Sequence, residues 1–185
     1  WHICHETIYS FIYSKKYLFN HDHPLWEYLR RKQKRRRKRG GRKASRLRIP
    51  DRVSIHLRPI AISQRVEPGH WEGDLIIGKE KRSALGSLVE RTTRLTLLVS
   101  LKDKDAFAVR KSFAQAFKRI PNQFKKTLTY DRGSEMSQHK LFTEETKIQV
   151  YFADPYSPWQ RGTNENTNGL IRQYFPKGTD FNKVP

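Results

Sequence analysis

The sequence predicts an α/β domain, a mixed sheet of about five strands with helices on its faces, preceded by a basic linker and a short helical remnant. Three strand-like apolar runs follow one another between residues 71 and 101, and helix-like and strand-like runs then alternate as far as residue 174. Hairpin-connected strands followed by αβ alternation build a sheet covered by helices. The positive charge is gathered ahead of that pattern: thirteen of the nineteen residues 30–48 are Lys or Arg and none is acidic.

Residues 6–17 read as a short helix with Ile8, Ile12 and Phe11 on one side, and residues 25–31 as a second; neither buries a core alone. The like charges of 30–48 repel one another, so that stretch is expected to be extended without a partner. Gly40-Gly41 and Pro50 support a linker there. Strands are expected at 71–78, 84–90 and 95–101, the last two joined by the polar Arg91-Thr92-Thr93-Arg94. Asp103 or Asp105 then caps a helix whose apolar residues Ala106, Val109, Phe113, Phe117 and Ile120 recur at three- and four-residue steps, and Pro121 ends it. A strand at 127–130 runs into Asp131, a helix covers 136–145, and a fifth strand covers 148–152. The loop Asp154-Pro155-Tyr156-Ser157-Pro158 leads into a helix at 163–174, with Leu170, Ile171 and Tyr174 facing the core.

The 185 residues carry a formal net charge of +20, a pI near 10.3 and a mean hydropathy of −0.85. Such an excess is the electrostatic signature of a nucleic-acid partner. An acidic membrane surface is the competing reading, weakened by the lack of any apolar run of spanning length. A single cysteine, Cys4, excludes an internal disulfide and a multi-cysteine zinc site. No signal peptide is legible, so a cytoplasmic location is expected. The start at Trp1 and the stop at Pro185 read as those of a fragment.

Within this basic chain, Asp74, Asp131 and Glu165 stand out by position. Asp74 falls inside an apolar strand, where a carboxylate needs a partner. Asp131 falls at the C-terminal end of a strand, where the sites of open αβ sheets gather, and reads equally as a helix N-cap. Glu165 lies at the start of the last helix, where an acid also suits the helix dipole. Three carboxylates on separate elements offer hard oxygen ligands for the metals of phosphoryl transfer.

The motifs Gly69-His70-Trp71-Glu72-Gly73-Asp74, Thr129-Tyr130-Asp131-Arg132-Gly133-Ser134-Glu135 and Asp154 through Asn166, continuing to Phe175-Pro176-Lys177-Gly178-Thr179-Asp180-Phe181, resemble those of bacterial insertion-sequence transposases with a DDE core, in particular the IS-thirty family. The 34 positions between Asp131 and Glu165 match that family's spacing. His5-Glu6-Thr7-Ile8-Tyr9 resembles the end of its N-terminal helix-turn-helix region. The resemblance implies a ribonuclease-H-like (integrase-like) fold. It further implies two Mg²⁺ ions, replaceable by Mn²⁺, held by Asp74, Asp131 and Glu165, and cleavage of element ends followed by strand transfer to target DNA. Residues 1–29 would then close a DNA-binding helical region, 30–64 form the basic linker, and 65–185 form the catalytic core, incomplete at its C-terminus. The expected partners are DNA ends and target DNA, bound by a homo-oligomer and no membrane, on a bacterial nucleoid. A metal-dependent nuclease of the same fold and a non-catalytic basic DNA-binding module are the alternatives.

Arg35, Arg36, Arg37, Lys38 and Arg39 in the linker, with Arg161, Arg172 and Lys177 around the last helix, are the candidate DNA-backbone contacts. Trp159 and Tyr156 read as packing for the proline loop in preference to stacking on a base. Glu72 and Glu135, extra carboxylates close to the first two acids, read as supporting or surface residues rather than ligands, and His70 and His139 read as structural.

Overall fold

The computed structural model describes residues 3–14, 18–19, 23–30, 32, 49–101 and 103–184. The chain divides into two compact units, Trp1–Lys43 and Ala44–Pro185. In the first, α1 spans His5–Ile12 and buries no residue, and two-residue strands β1 (Leu18–Phe19) and β2 (His23–Pro24) pair antiparallel. The helix expected at 25–31 is instead a single 3₁₀ turn, Leu25–Tyr28. Leu29 returns to an extended backbone (ψ 144), so no second turn is added.

The second unit holds the expected sheet. Its strands are β3 (His70–Ile77), β4 (Ala84–Glu90), β5 (Thr96–Leu101), β6 (Thr127–Tyr130) and β7 (Gln149–Phe152), in the spatial order β5-β4-β3-β6-β7. The first three are antiparallel neighbours, and β6 and β7 join in parallel. The single turn α2 (Ala61–Gln64) precedes the sheet, while α3 (Ala106–Phe117), α4 (His139–Thr146) and α5 (Gly162–Tyr174) are inserted among or after its strands. Residues 49–64, expected within the linker, include the buried Ile49, Ile55 and Ile62.

Sheet parity decides what each face carries. The parallel register Trp71↔Leu128 and Glu72↔Thr129 puts Trp71, Gly73, Leu128 and Tyr130 on one face. Glu72, Asp74, Thr129 and Asp131 fall on the other. The first face is apolar and covered by α3: the Trp71 ring meets Phe117 edge-on at 5.1 Å, and Phe113 lies 6.2 Å from Tyr130. α3 buries Val109, Phe113 and Phe117 at four-residue steps, and its N-cap, Asp105, accepts from the Ala108 N–H at 2.7 Å. Each fully buried aromatic there contributes roughly 2–3 kcal/mol. Gly73 is required by this packing, since a Cβ would stand 2.8 Å from Tyr130 Cδ2.

The second face is polar and receives α5. Leu170 and Tyr174, expected toward the core, are 44% and 81% exposed, and the buried residues of the helix are Thr163 and Asn164. Amide–carbonyl bonds rather than an apolar stripe dock this helix, which hydrophobic periodicity cannot register.

Candidate active site

The polar face gathers a charged cluster around the C-terminal end of β6. The Arg161 guanidinium lies between two of the expected acids, with Nη1 3.4 Å from Asp74 Oδ1 and Nη2 3.4 Å from Asp131 Oδ2. Nη1 also donates to the Gly73 carbonyl at 3.1 Å. Asp74 comes from β3 and Asp131 from the residue that follows β6, so the guanidinium joins the two strands' acids. Both carboxylates are held from a second side. Asn168 Nδ2 donates to Asp74 Oδ2 at 3.0 Å, and the Gly133 N–H donates to Asp131 Oδ1 at 2.8 Å. Burial pushes the Asp74 carboxyl above the usual range; Arg161 opposes the shift and the Asp131 charge adds to it.

Glu165 is exposed in the first turn of α5. Among the described residues no three His, Cys, Asp or Glu side chains are gathered as a ready metal cage. Its neighbour Asn164 is fully buried and fixes where the helix begins. The Asn164 N–H donates to Glu72 Oε2 at 2.9 Å, and Nδ2 donates to the carbonyls of Glu72 and Ser87 at 2.9 and 3.1 Å. Glu72, 1% exposed, pairs with the equally buried Arg91 at 2.9 Å. Glu72 therefore supports the helix, as expected. Glu135 feels the charges of both aspartates, as its place close to them in the sequence suggested. Burial raises its carboxyl, and the charges of Asp131 and Asp74 add to the shift.

His70 and His139 are structural. His70 is buried with Nδ1 2.9 Å from Thr127 Oγ1, and burial lowers its pKa. His139 is buried edge-on against Phe152, with Nε2 3.2 Å from the Asp51 carbonyl. Arg172 Nη2 donates to the Ile77 carbonyl at 2.6 Å, and Lys177 is exposed in the loop after α5. Arg35 through Arg39 lie outside the described residues. The preference for packing at the proline loop is overturned for Trp159, which is 73% exposed; Tyr156 is 63% exposed with a left-handed φ of 59°.

Sequence reasoning missed Asn164 and Asn168. Their signal was their spacing around Glu165, one residue before and three after, which on a helix puts all three within one turn of each other.

Comparison with known proteins identifies the family and the fold. Residues 64–158 match the integrase core domain family. The chain is 45% identical to the transposase for insertion sequence element IS1086 of Cupriavidus metallidurans, over 97% of this chain and 52% of the relative. It is 46% identical to the transposase InsI for insertion sequence element IS30A of Escherichia coli K12, over 94% of this chain and 46% of the relative. The chain thus spans about half the length of the curated relatives it matches. Among solved structures, a chain of the simian T-cell lymphotropic virus intasome in complex with PP2A regulatory subunit B56 gamma superposes with a TM-score of 0.51 at 21% identity. The overlap covers 65% of this chain and 45% of that one. That similarity establishes the ribonuclease-H-like fold. No helix among the described residues is long and apolar enough to cross a membrane.

Proposed function

Because the chain belongs to the integrase core domain family, we propose that it is the catalytic part of an insertion-sequence transposase. It cuts phosphodiesters at the ends of its element and joins the freed 3′-hydroxyl to target DNA. The observation that carries this reading is the meeting of Asp74, from β3, and Asp131, from the residue that follows β6, at one cation, Arg161. A basic protein gains nothing from two adjacent carboxylates unless a cation stands between them and phosphate.

The donor set fits a divalent ion: the carboxylates are hard oxygen ligands, and two already share a positive charge. Asp74, Asp131 and Glu165 would hold two Mg²⁺ ions, with Mn²⁺ able to substitute. When bound, such ions supply Lewis-acid polarisation of the phosphate and activation of the attacking oxygen. The chain's own residues supply position. Asn168 and the Gly133 N–H orient the two aspartates, and Asn164 fixes the first turn that presents Glu165. Arg161, Arg172, Lys177 and the Arg35–Arg39 run attract the DNA backbone. In cleavage, a water oxygen bonds to phosphorus as the bond to the 3′-oxygen breaks, and that oxygen takes up a proton. In joining, the 3′-hydroxyl oxygen bonds to a target phosphorus, loses its proton, and the target's own 3′-oxygen leaves. Two ends must meet, so a homo-oligomer on DNA is the working form, in the bacterial cytoplasm at the nucleoid. Residues 1–29 end a DNA-binding region, a basic linker follows, and the core begins ahead of residue 65, since Ile49, Ile55 and Ile62 are buried.

The test is nicking and strand joining on supercoiled plasmid with Mg²⁺ or Mn²⁺, comparing the parent with Glu165→Gln. Losing one ligand should slow cleavage on the order of a thousandfold. Equal rates in both would sink the assignment of Glu165. Cleavage without joined products would favour the nuclease, and metal-independent DNA binding with no cleavage would favour a non-catalytic module.

A further inference from the structure

Arg161 stands where a metal would be expected, and its contacts are those of a temporary occupant. Both carboxylates are 3.4 Å away, longer than the roughly 2.7–2.9 Å of a well-formed charge-assisted hydrogen bond. Its closest bond is to a backbone carbonyl, that of Gly73 at 3.1 Å. The side chain is 17% exposed, so the charge is enclosed with the acids rather than dissolved in solvent. One guanidinium charge serves two carboxylates.

We infer that Arg161 is the resident counter-ion of the metal-free site. Loading of divalent ions displaces its guanidinium outward, where it meets DNA phosphate. This rests on the proposal that Asp74 and Asp131 hold the metal. A planar fork of donors cannot match the short oxygen contacts of a divalent ion, and two positive charges compensate two carboxylates better than one. A guanidinium left in place would stand within a few ångströms of the ion and repel it. Arg161 sits at the end of the 3₁₀ turn Pro158–Arg161, just ahead of α5, and the helix is held by Asn164 rather than by Arg161. Its side chain can therefore swing without moving the helix. The device makes metal loading and DNA engagement one event: the cation that leaves the acids becomes the cation that meets the backbone.

A fixed strut that merely orients the two aspartates predicts the opposite sign for its removal, which makes the experiment decisive. Mn²⁺ binding is measured by titration calorimetry on the whole chain without DNA, for the parent, Arg161→Gln, Arg161→Lys and Asp131→Asn. Arg161→Gln should bind Mn²⁺ about tenfold tighter than the parent. Arg161→Lys, which keeps the charge and loses the fork, should fall between them. Metal-free Arg161→Gln should also melt below the parent, and saturating Mn²⁺ should close the gap. Equal or weaker Mn²⁺ binding by Arg161→Gln, with binding lost in Asp131→Asn, would overturn the inference and leave the metal site standing. Parent-like binding by Asp131→Asn would instead remove the metal-site proposal itself. If Arg161→Gln does not fold, Arg161→Lys carries the same test, and a Lys variant binding no tighter than the parent overturns the inference.

Discussion

The backbone N–H of Asn164 donates to the Glu72 carboxylate at 2.9 Å, fastening the first turn of α5 to β3. Glu72 precedes Asp74 by two residues and Asn164 precedes Glu165 by one, so this contact ties together the elements that carry those two acids. Replacing Asn164 by Leu strips donors from the Glu72 and Ser87 carbonyls at a fully buried position. The expected loss is about 2–4 kcal/mol in urea unfolding. A loss under about 0.5 kcal/mol would mean the helix is held elsewhere.

Arg91 closes the same network from behind. Its Nε–Glu72 Oε1 contact at 2.9 Å is ionic rather than a directed hydrogen bond, and both side chains are under a tenth exposed. Arg91→Met should cost about 3–5 kcal/mol by leaving a buried carboxylate uncompensated. Adding Glu72→Gln should restore part of that loss. A double variant no more stable than Arg91→Met would show that the pair is not coupled.

The contribution of Asp74 and Glu135 to the stability of the metal-free protein should fall as pH rises above the ordinary carboxylate range. Burial raises Asp74 and Glu135 above their usual 3.8 and 4.5. Their contribution is therefore full below those values and lost as pH rises through the raised ones. Glu90 acts on the other side. Burial would raise it, but hydrogen bonds from Thr93, Gly69 and Thr92 outweigh that and hold it below 4.5, so its contribution is lost as pH falls through the lowered value. The melting temperature of Glu135→Gln in chelator should gain on that of the parent as pH rises from about 4–5. Parallel curves would rule out Glu135 as a source.

Trp159, 73% exposed and two residues before Arg161, offers a stacking surface. Trp159→Ala should change folding stability by no more than about 0.5 kcal/mol. Single-stranded DNA affinity should weaken by about 1–3 kcal/mol in a fluorescence titration. Unchanged affinity would leave the ring without a DNA role.

Gly86 tests the apolar face. A Cβ there would stand 2.4 Å from Phe113 Cε1, on a ring that is fully buried. Gly86→Ala should cost about 1–3 kcal/mol from overpacking. Combining it with Phe113→Leu should cost less than the two separate losses added together, and strict additivity would contradict the contact.

The strands at 84–90 and 127–130 were legible in full because apolar runs bounded by polar links have no competing reading. The helix over Ala106–Phe117 was legible from its four-residue steps and the acid ahead of it. What stayed hidden was set by distant partners. Arg161 meets Asp74 and Asp131 across the fold, and no local pattern marks a cation for that place. Tyr174 was assigned to the core because it is aromatic and in phase, yet the face that docks carries Asn164. The 3₁₀ turn at Leu25–Tyr28 was overread as a helix because its three apolar or aromatic residues, Leu25, Trp26 and Tyr28, satisfy either period.

The parallel register of β3 and β6 also makes the distance between Asp74 and Asp131 a quantised property. Ladders align in whole residues, so deleting one residue within either strand would not nudge a carboxylate. It would turn it through the sheet toward Phe113 and Phe117. The chain that leaves Asp74 and returns at Thr127 can lengthen or shorten in its turns without altering that alignment. Ancestral insertions could thus accumulate between the two acids while the few residues adjoining each stay fixed in number, as a vernier keeps its zero while the scale beyond it is redrawn.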